Sequence, residues 1–320
     1  MQLTSRDFFI LDKLTRCHLT TQMVLDITQA HSQPFTSKTN VHRRMKQLVD
    51  AGLVRHQPLA TANGRRCYFL SRKAARLVFS PVEYSLVKTS KVLFSGFPIT
   101  QEVHHLGVNR FVVKLEIDAT RAGIEFPLFV RDGHFIYRTV IDGKSARLQP
   151  DGTAVLIAQG KPDLFFLEFD LSTEKLQTIR TNARNTKSFA DKIRKYTLFR
   201  REYPTITLGE YTFDSFRVIT VCKSKQRLKN LVALAASMNK RGMFQFITQS
   251  EYLHPVERDP QTYQDASLLH EIGFHTPEGV KTLYPASERG TGSKFDAVAA
   301  DPDNTSSKFF GTSEMRTKAA

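Results

Sequence analysis

The chain has 320 residues, a hydrophobic fraction of 41% and a formal net charge of +15. That length accommodates two domains, and that apolar content supports a sizeable core, which excludes wholesale disorder. Residues 1–80 hold 13 Lys/Arg against 4 Asp/Glu, so a quarter of the chain supplies +9 of the charge, which favours a polyanionic partner.

Thr4 or Ser5 can cap a first helix, with Ile10, Leu14 and Cys17 on one face, and Thr20 or Thr21 a second, with Met23, Val24 and Ile27 apolar. Ser37 is placed to cap a third. In it Val41, Met45, Leu48 and Val49 fall at i, i+4, i+7 and i+8, an apolar stripe at helical spacing. Gly52 stands where a helix end wants a left-handed residue. Leu53–Leu59 and Arg66–Leu70 can then pair around Asn63-Gly64, a hairpin turn signal, and Ser71 can cap a short helix, Arg72–Phe79. The order reads as a winged helix-turn-helix over residues 1–80, whose third helix fits the major groove of double-stranded DNA. Thr39, Asn40, Arg43, Lys46 and Gln47 point away from the apolar stripe, with His42 and Arg44 on its flanks. Arg65 and Arg66 at the wing, with Arg55 on its first strand, complete the expected DNA-binding set.

Residues 81–100 lack periodicity and read as a connector. Gln101–Ala122 reads as a long helix ended by Gly123, with Leu106, Val113 and Ile117 apolar. Strands follow over Phe126–Val140 around Asp132-Gly133. Leu148–Ala158 and Leu164–Leu171 are expected to pair through a turn at Gly160-Lys161-Pro162-Asp163. Ser172 can cap a helical pattern that runs, with a break near Asn185, to about Arg200. A strand Phe216–Cys222, a helix Ser224–Asn239 and a strand Phe244–Thr248 complete an alternating pattern over residues 101–250. It predicts an α/β (α+β) mixed sheet with crossover connections. Residues 251–286 are ambiguous, and residues 287–320 have the composition of a disordered tail.

Within this second domain Glu168 and Asp170 share one face of a strand and Leu167 and Phe169 the other. Two unpaired carboxylates on an apolar strand are costly; a hard cation would stabilise them. Lys192 and Tyr196 are spaced i, i+4 on the next helix, and a lysine there could neutralise the acids or steady a hydroxide. Cys17, Cys67 and Cys222 are scattered, and neither they nor the ten histidines have metal-ligand spacing. No signal peptide, basic membrane-binding helix or long apolar run is evident, so a cytoplasmic location and no membrane partner are expected.

Pro150-Asp151 on one strand and Glu168-Phe169-Asp170 on the next resemble the PD-(D/E)XK nuclease superfamily, a restriction-endonuclease-like fold. Asp170 stands where that pattern has a lysine. Some members carry the lysine, or a Gln-x-x-x-Tyr motif, on the following helix, where Lys192-Ile193-Arg194-Lys195-Tyr196 lies. The winged helix, Pro150-Asp151-Gly152, the run from Phe165 to Glu174 with Lys192 and Tyr196 after it, and the strand at Phe216 leading to Arg227 and Leu228 together resemble the replication-relaxation family of bacterial plasmid and mobile-element proteins. The resemblance covers residues 1–248 and implies a DNA-binding protein acting in replication, DNA relaxation or transfer, alongside replication or transfer proteins. It leaves alternatives open. In one, the second domain is a nuclease-like platform needing no cofactor. In another, Asp151 and Glu168 hold magnesium or manganese, with Asp170, Lys192 and Tyr196 in a catalytic centre that cuts DNA. A transcriptional regulator is a third. A tyrosine relaxase is rejected, since no histidine cluster accompanies Tyr196, Tyr203 or Tyr211. No heptad run argues for dimerisation, and a homodimer stays open.

Overall fold

The computed structural model describes residues 2–61, 65–81, 84, 91–131, 135–141, 143–171, 176, 188–238, 242–253, 266–284 and 314–315. The expected turn at Asn63-Gly64, the cap at Ser172, the break near Asn185 and most of the tail lie outside them. The chain is mixed α/β and divides into two compact units between Leu128 and Phe129.

The first unit opens with α1 (Ser5–Arg16), capped by Thr4 in a reciprocal box with Asp7. A two-residue strand β1 (Leu19–Thr20) precedes α2 (Thr21–Ile27), capped by Thr20. The third helix, α3 (Lys38–Asp50), starts at Ser37, whose hydroxyl accepts from the Asn40 amide at 3.3 Å. Gly52 adopts φ 70°, the left-handed conformation that ends the helix. Strands β2 (Val54–Pro58) and β3 (Arg66–Leu70) pair antiparallel, and β1 adds to β3. That third strand is too short for periodicity to reveal. Ile10, Leu14, Met23, Val24, Val41, Met45, Leu48 and Leu70 are fully buried between these elements, and Val49 is half-buried. The helix α4 (Arg72–Val78) follows, capped by Ser71.

The long helix α5 (Glu102–Ala122) ends at Gly123, φ 66°. It was expected to open the second domain, yet it belongs to the first unit. Lys13 donates to Glu116 at 2.7 Å and Arg16 makes a close ion pair with the same carboxylate, all three side chains being buried. Asn109 Nδ2 donates to the His18 carbonyl at 2.7 Å. These bonds join residues about a hundred positions apart, so local pattern does not anticipate them.

The second unit is built on a sheet of strand order β14-β13-β12-β11-β8-β7-β4. Its members are β4 (Glu125–Arg131, within which the division between the units falls), β7 (Gly152–Ala158), β8 (Lys161–Asp170), β11 (Phe216–Cys222), β12 (Phe244–Thr248), β13 (Phe274–Thr276) and β14 (Gly279–Lys281). The central β8, β11 and β12 run parallel; β7 is antiparallel to β8, and β13 to β12 and β14. Strands β5 (Ile136–Ile141) and β6 (Lys144–Leu148) form a separate hairpin, so the strands flanking Asp132-Gly133 do not pair with each other. Glu314–Met315 runs beside β5. A further hairpin joins β9 (Ile206–Leu208) to β10 (Tyr211–Phe213).

The β7–β8 turn is Gln159-Gly160, φ 51° and 75°, one residue earlier than expected. Two left-handed residues make a tight hairpin whose twist matches its strands. Lys161, Pro162 and Asp163 therefore belong to β8, and Pro162 precedes the first β8 residue that β11 pairs with, Leu164. Helices α6 (Phe189–Glu202) and α7 (Lys225–Ser237), capped by Ser188 and Ser224, bring side chains to the face of Phe166, Glu168 and Asp170. There Phe166 lies 4.8 Å from Phe135, 5.7 Å from Tyr196 and 5.0 Å from Phe216, centroid to centroid. Such aromatic pairs add about 0.5–1.5 kcal/mol each beyond area burial. Strands β13 and β14 lie in the region whose pattern was ambiguous, because three residues give too little alternation to read.

Candidate functional site

The outer face of α3 presents Thr39, Arg43, Lys46 and Gln47 to solvent, opposite the buried Val41, Met45 and Leu48. Asn40 is half-buried; its amide donates to Thr36 Oγ1 at 3.0 Å and its oxygen accepts from Arg43 at 3.4 Å. Arg44 is committed within the fold. Its Nε donates to Asp7 Oδ1 at 2.8 Å, its Nη2 to Asp7 Oδ2 and to the Gln2 carbonyl, and its Nη1 to Gln47 Oε1 at 2.8 Å. Burial alone would raise the Asp7 carboxyl, but hydrogen bonds from Arg44 and Thr4 hold it below the ordinary aspartate range. Arg55 donates to the Phe94 carbonyl at 3.2 Å and lies over the Phe69 ring, so it too is engaged locally.

On the β2–β3 hairpin, Arg66 is exposed and pairs in register with Pro58, while Arg65 is half-buried with its carbonyl accepting from Leu59. The segment following β2 is held by the buried Glu102, which accepts from the amides of Ala60 at 2.8 Å and Thr61 at 2.9 Å and from the Thr61 hydroxyl. Burial raises the Glu102 carboxyl, and these three donors more than offset that, leaving it below its ordinary value. Neither Asp7 nor Glu102 was among the expected functional residues. Both act on partners roughly forty positions away, for which the sequence offers no local signal.

In the second unit, Asp151, Glu168, Lys192 and Tyr196 form one cluster. Pro150-Asp151 leads into β7 at Gly152, where a Cβ would lie 2.6 Å from the Phe129 ring, so glycine is required by close approach. Asp151 Oδ2 accepts from the Phe169 amide at 2.7 Å, and the Asp151 amide donates to the Leu167 carbonyl at 3.0 Å. Glu168 is buried; Lys192 Nζ donates to its Oε2 at 2.8 Å and Tyr196 OH to its Oε1 at 2.7 Å. Burial pushes the Glu168 carboxyl up to about 7; Lys192 opposes this and Asp151 adds to it. The Tyr196 phenol is raised by burial and then by Glu168. Asp170, on the same strand face, has a basic partner from another helix. Arg227, on α7, donates to it through Nε at 2.8 Å, with both side chains largely buried. Lys192 and Arg227 therefore satisfy the two strand acids.

Both oxygens of Glu168 and one of Asp151 are taken by protein donors. Among the described residues no three His, Cys, Asp or Glu side chains converge as metal ligands. A magnesium or manganese ion favours open carboxylate oxygens, so the side chains as arranged do not fit one. The cluster thus presents a buried carboxyl whose ionisation is pushed up towards neutral pH while a lysine and a phenol both donate to it. Cys17, Cys67 and Cys222 are buried and form no disulfide. No helix among the described residues is long and apolar enough to cross a membrane.

Comparison with curated proteins and with solved structures returned no match. The replication-relaxation family model matches residues 14–205, more than half of the chain and including α3, the β2–β3 hairpin and the Glu168 cluster. The chain therefore belongs to the replication-relaxation family.

Proposed function

We propose that the protein binds double-stranded DNA through a winged helix and acts in the replication, relaxation or transfer of a plasmid or mobile element. The single observation carrying this reading is α3. Its inner face is fully buried while Thr39, Arg43, Lys46 and Gln47 stand exposed on the other, beside a hairpin bearing Arg66. A helix of that width and chemistry matches the major groove, and cationic side chains beside it neutralise phosphate. The family description, replication-relaxation, agrees with a DNA partner.

The second unit we read as a nuclease-like platform whose strand acids are neutralised internally. Glu168–Lys192 and Asp170–Arg227 are the pairings expected of a domain that is structural or carries a protein contact. A cutting enzyme is the second reading, favoured by the meeting of Asp151, Glu168, Lys192 and Tyr196 at one place.

Incubating the full chain with supercoiled plasmid, with magnesium or manganese and with chelator, tests both. Retarded and intact plasmid in every lane, with retardation reduced by Arg43→Ala, is the expected outcome. Metal-dependent nicking lost in both Asp151→Ala and Glu168→Ala would overturn the platform reading, and no retardation at all would overturn DNA binding.

A further inference from the structure

Gln47 is exposed on the outer face of α3, but its amide is held in one orientation. Its Oε1 accepts from Arg44 Nη1 at 2.8 Å. Arg44 is itself anchored through Nε and Nη2 to the buried Asp7 and to the Gln2 carbonyl. These bonds occupy four of the five guanidinium donors. The anchor pairs Arg44 with an acid that its hydrogen bonds, outweighing burial, keep ionised at neutral pH. Gln47 therefore turns its oxygen back along the helix and its NH2 group outward.

We propose that Gln47 is a specificity-determining residue that selects guanine, with Arg44 as the positioning residue that sets its orientation. An unconstrained glutamine reads adenine by accepting from N6 and donating to N7. Here the outward edge offers donors, so the adenine N6 amine and the cytosine N4 amine would each face another donor. Thymine offers one acceptor, O4, beside its methyl group, whereas guanine presents two, O6 and N7, to the major groove and is the edge that matches both amide protons. The inference rests on the reading of α3 as the groove-binding helix.

The test is selection of the full chain on a randomised duplex library, comparing wild type with Gln47→Ala, Gln47→Glu and Arg44→Lys. The wild type is expected to show one position preferring guanine over adenine by about tenfold or more. Gln47→Ala should flatten that position alone. Gln47→Glu keeps its bond to Arg44 but presents acceptors, and should convert the preference to cytosine. Arg44→Lys keeps a charge for Asp7 but loses the planar fork, so adenine should become tolerated at that position while affinity for unrelated duplexes is unchanged. An equal loss on all duplexes for Arg44→Lys would overturn its positioning role. Adenine preferred at the Gln47-dependent position, or a selective profile untouched by Gln47→Ala, would overturn the inference alone. A wild type that binds duplexes without any selectivity would overturn the groove-binding reading and the inference with it.

Discussion

Replacing Glu168 with glutamine keeps the side chain's shape and removes its charge, which isolates what the buried carboxyl does to stability. Its folded value near 7 lies above the ordinary 4.5 because burial disfavours the anion more than Lys192 and Tyr196 favour it. A raised value means that the folded state binds the proton more tightly than the unfolded chain. The stabilising contribution is complete below about pH 4.5 and is lost as pH rises through about 7. A shift of this size corresponds to about 3 kcal/mol between those limits. Urea unfolding followed by circular dichroism from about pH 5 to about pH 8 should show the wild type losing about that much relative to Glu168→Gln. Taking the difference between the two proteins cancels the histidines, which titrate alike in both. Lys192→Met removes the opposing cation and raises the folded value further, so its loss of stability should begin at the same pH but continue to higher pH than in the wild type. A difference between wild type and Glu168→Gln that is flat with pH, or that grows in the opposite direction, would refute the argument that desolvation dominates at Glu168.

Other perturbations probe the rest of the molecule. On the proposed reading, Arg66→Ala should weaken binding to every duplex alike and lower the slope of log affinity against log salt by about one; an unchanged slope in a salt titration would remove the β2–β3 hairpin from the proposed interface. Asp7→Ala leaves the Arg44 guanidinium without its buried partner and should destabilise the first unit by about 3 kcal/mol in a melt; a melt matching the wild type would show that the pair carries no stability. Thr220 sits beside Glu168 in register on β11, fully buried, its hydroxyl without a hydrogen-bond partner among the described residues. Thr220→Val should stabilise the second unit by about 1 kcal/mol, and a loss of that size would show that the hydroxyl is bonded.

Much of the fold was legible because its signals are local. Ser37, Gly52, Ser71, Gly123 and Ser224 mark helix ends through their own side chains or backbone freedom. The 3.6-residue spacing of Val41, Met45 and Leu48 names the buried side of α3, and the two-residue alternation of β8 puts Glu168 and Asp170 on one face before any partner is known. Pairing is where local reading fails. The strands around Asp132-Gly133 go to different sheets, β13 and β14 are too short to announce themselves, and the Gln159-Gly160 turn is decided by the register of β7 on β8.

What the sequence by itself determined is the chemistry available at each position: a basic first quarter, a helix with one polar and cationic face, and two acids on an otherwise apolar strand. Only the tertiary structure decided how that chemistry is spent. It ties α5 to the first unit through Glu116, withdraws Arg44 from the outer face of α3 by pairing it with Asp7, and assigns Lys192 to Glu168 and Arg227 to Asp170. The physical reason is the cost of burying a charge without a partner. That cost is met by whichever opposite charge the fold brings within hydrogen-bond distance, and for Asp7, Glu116 and Asp170 that partner lies 37, 100 and 57 positions away.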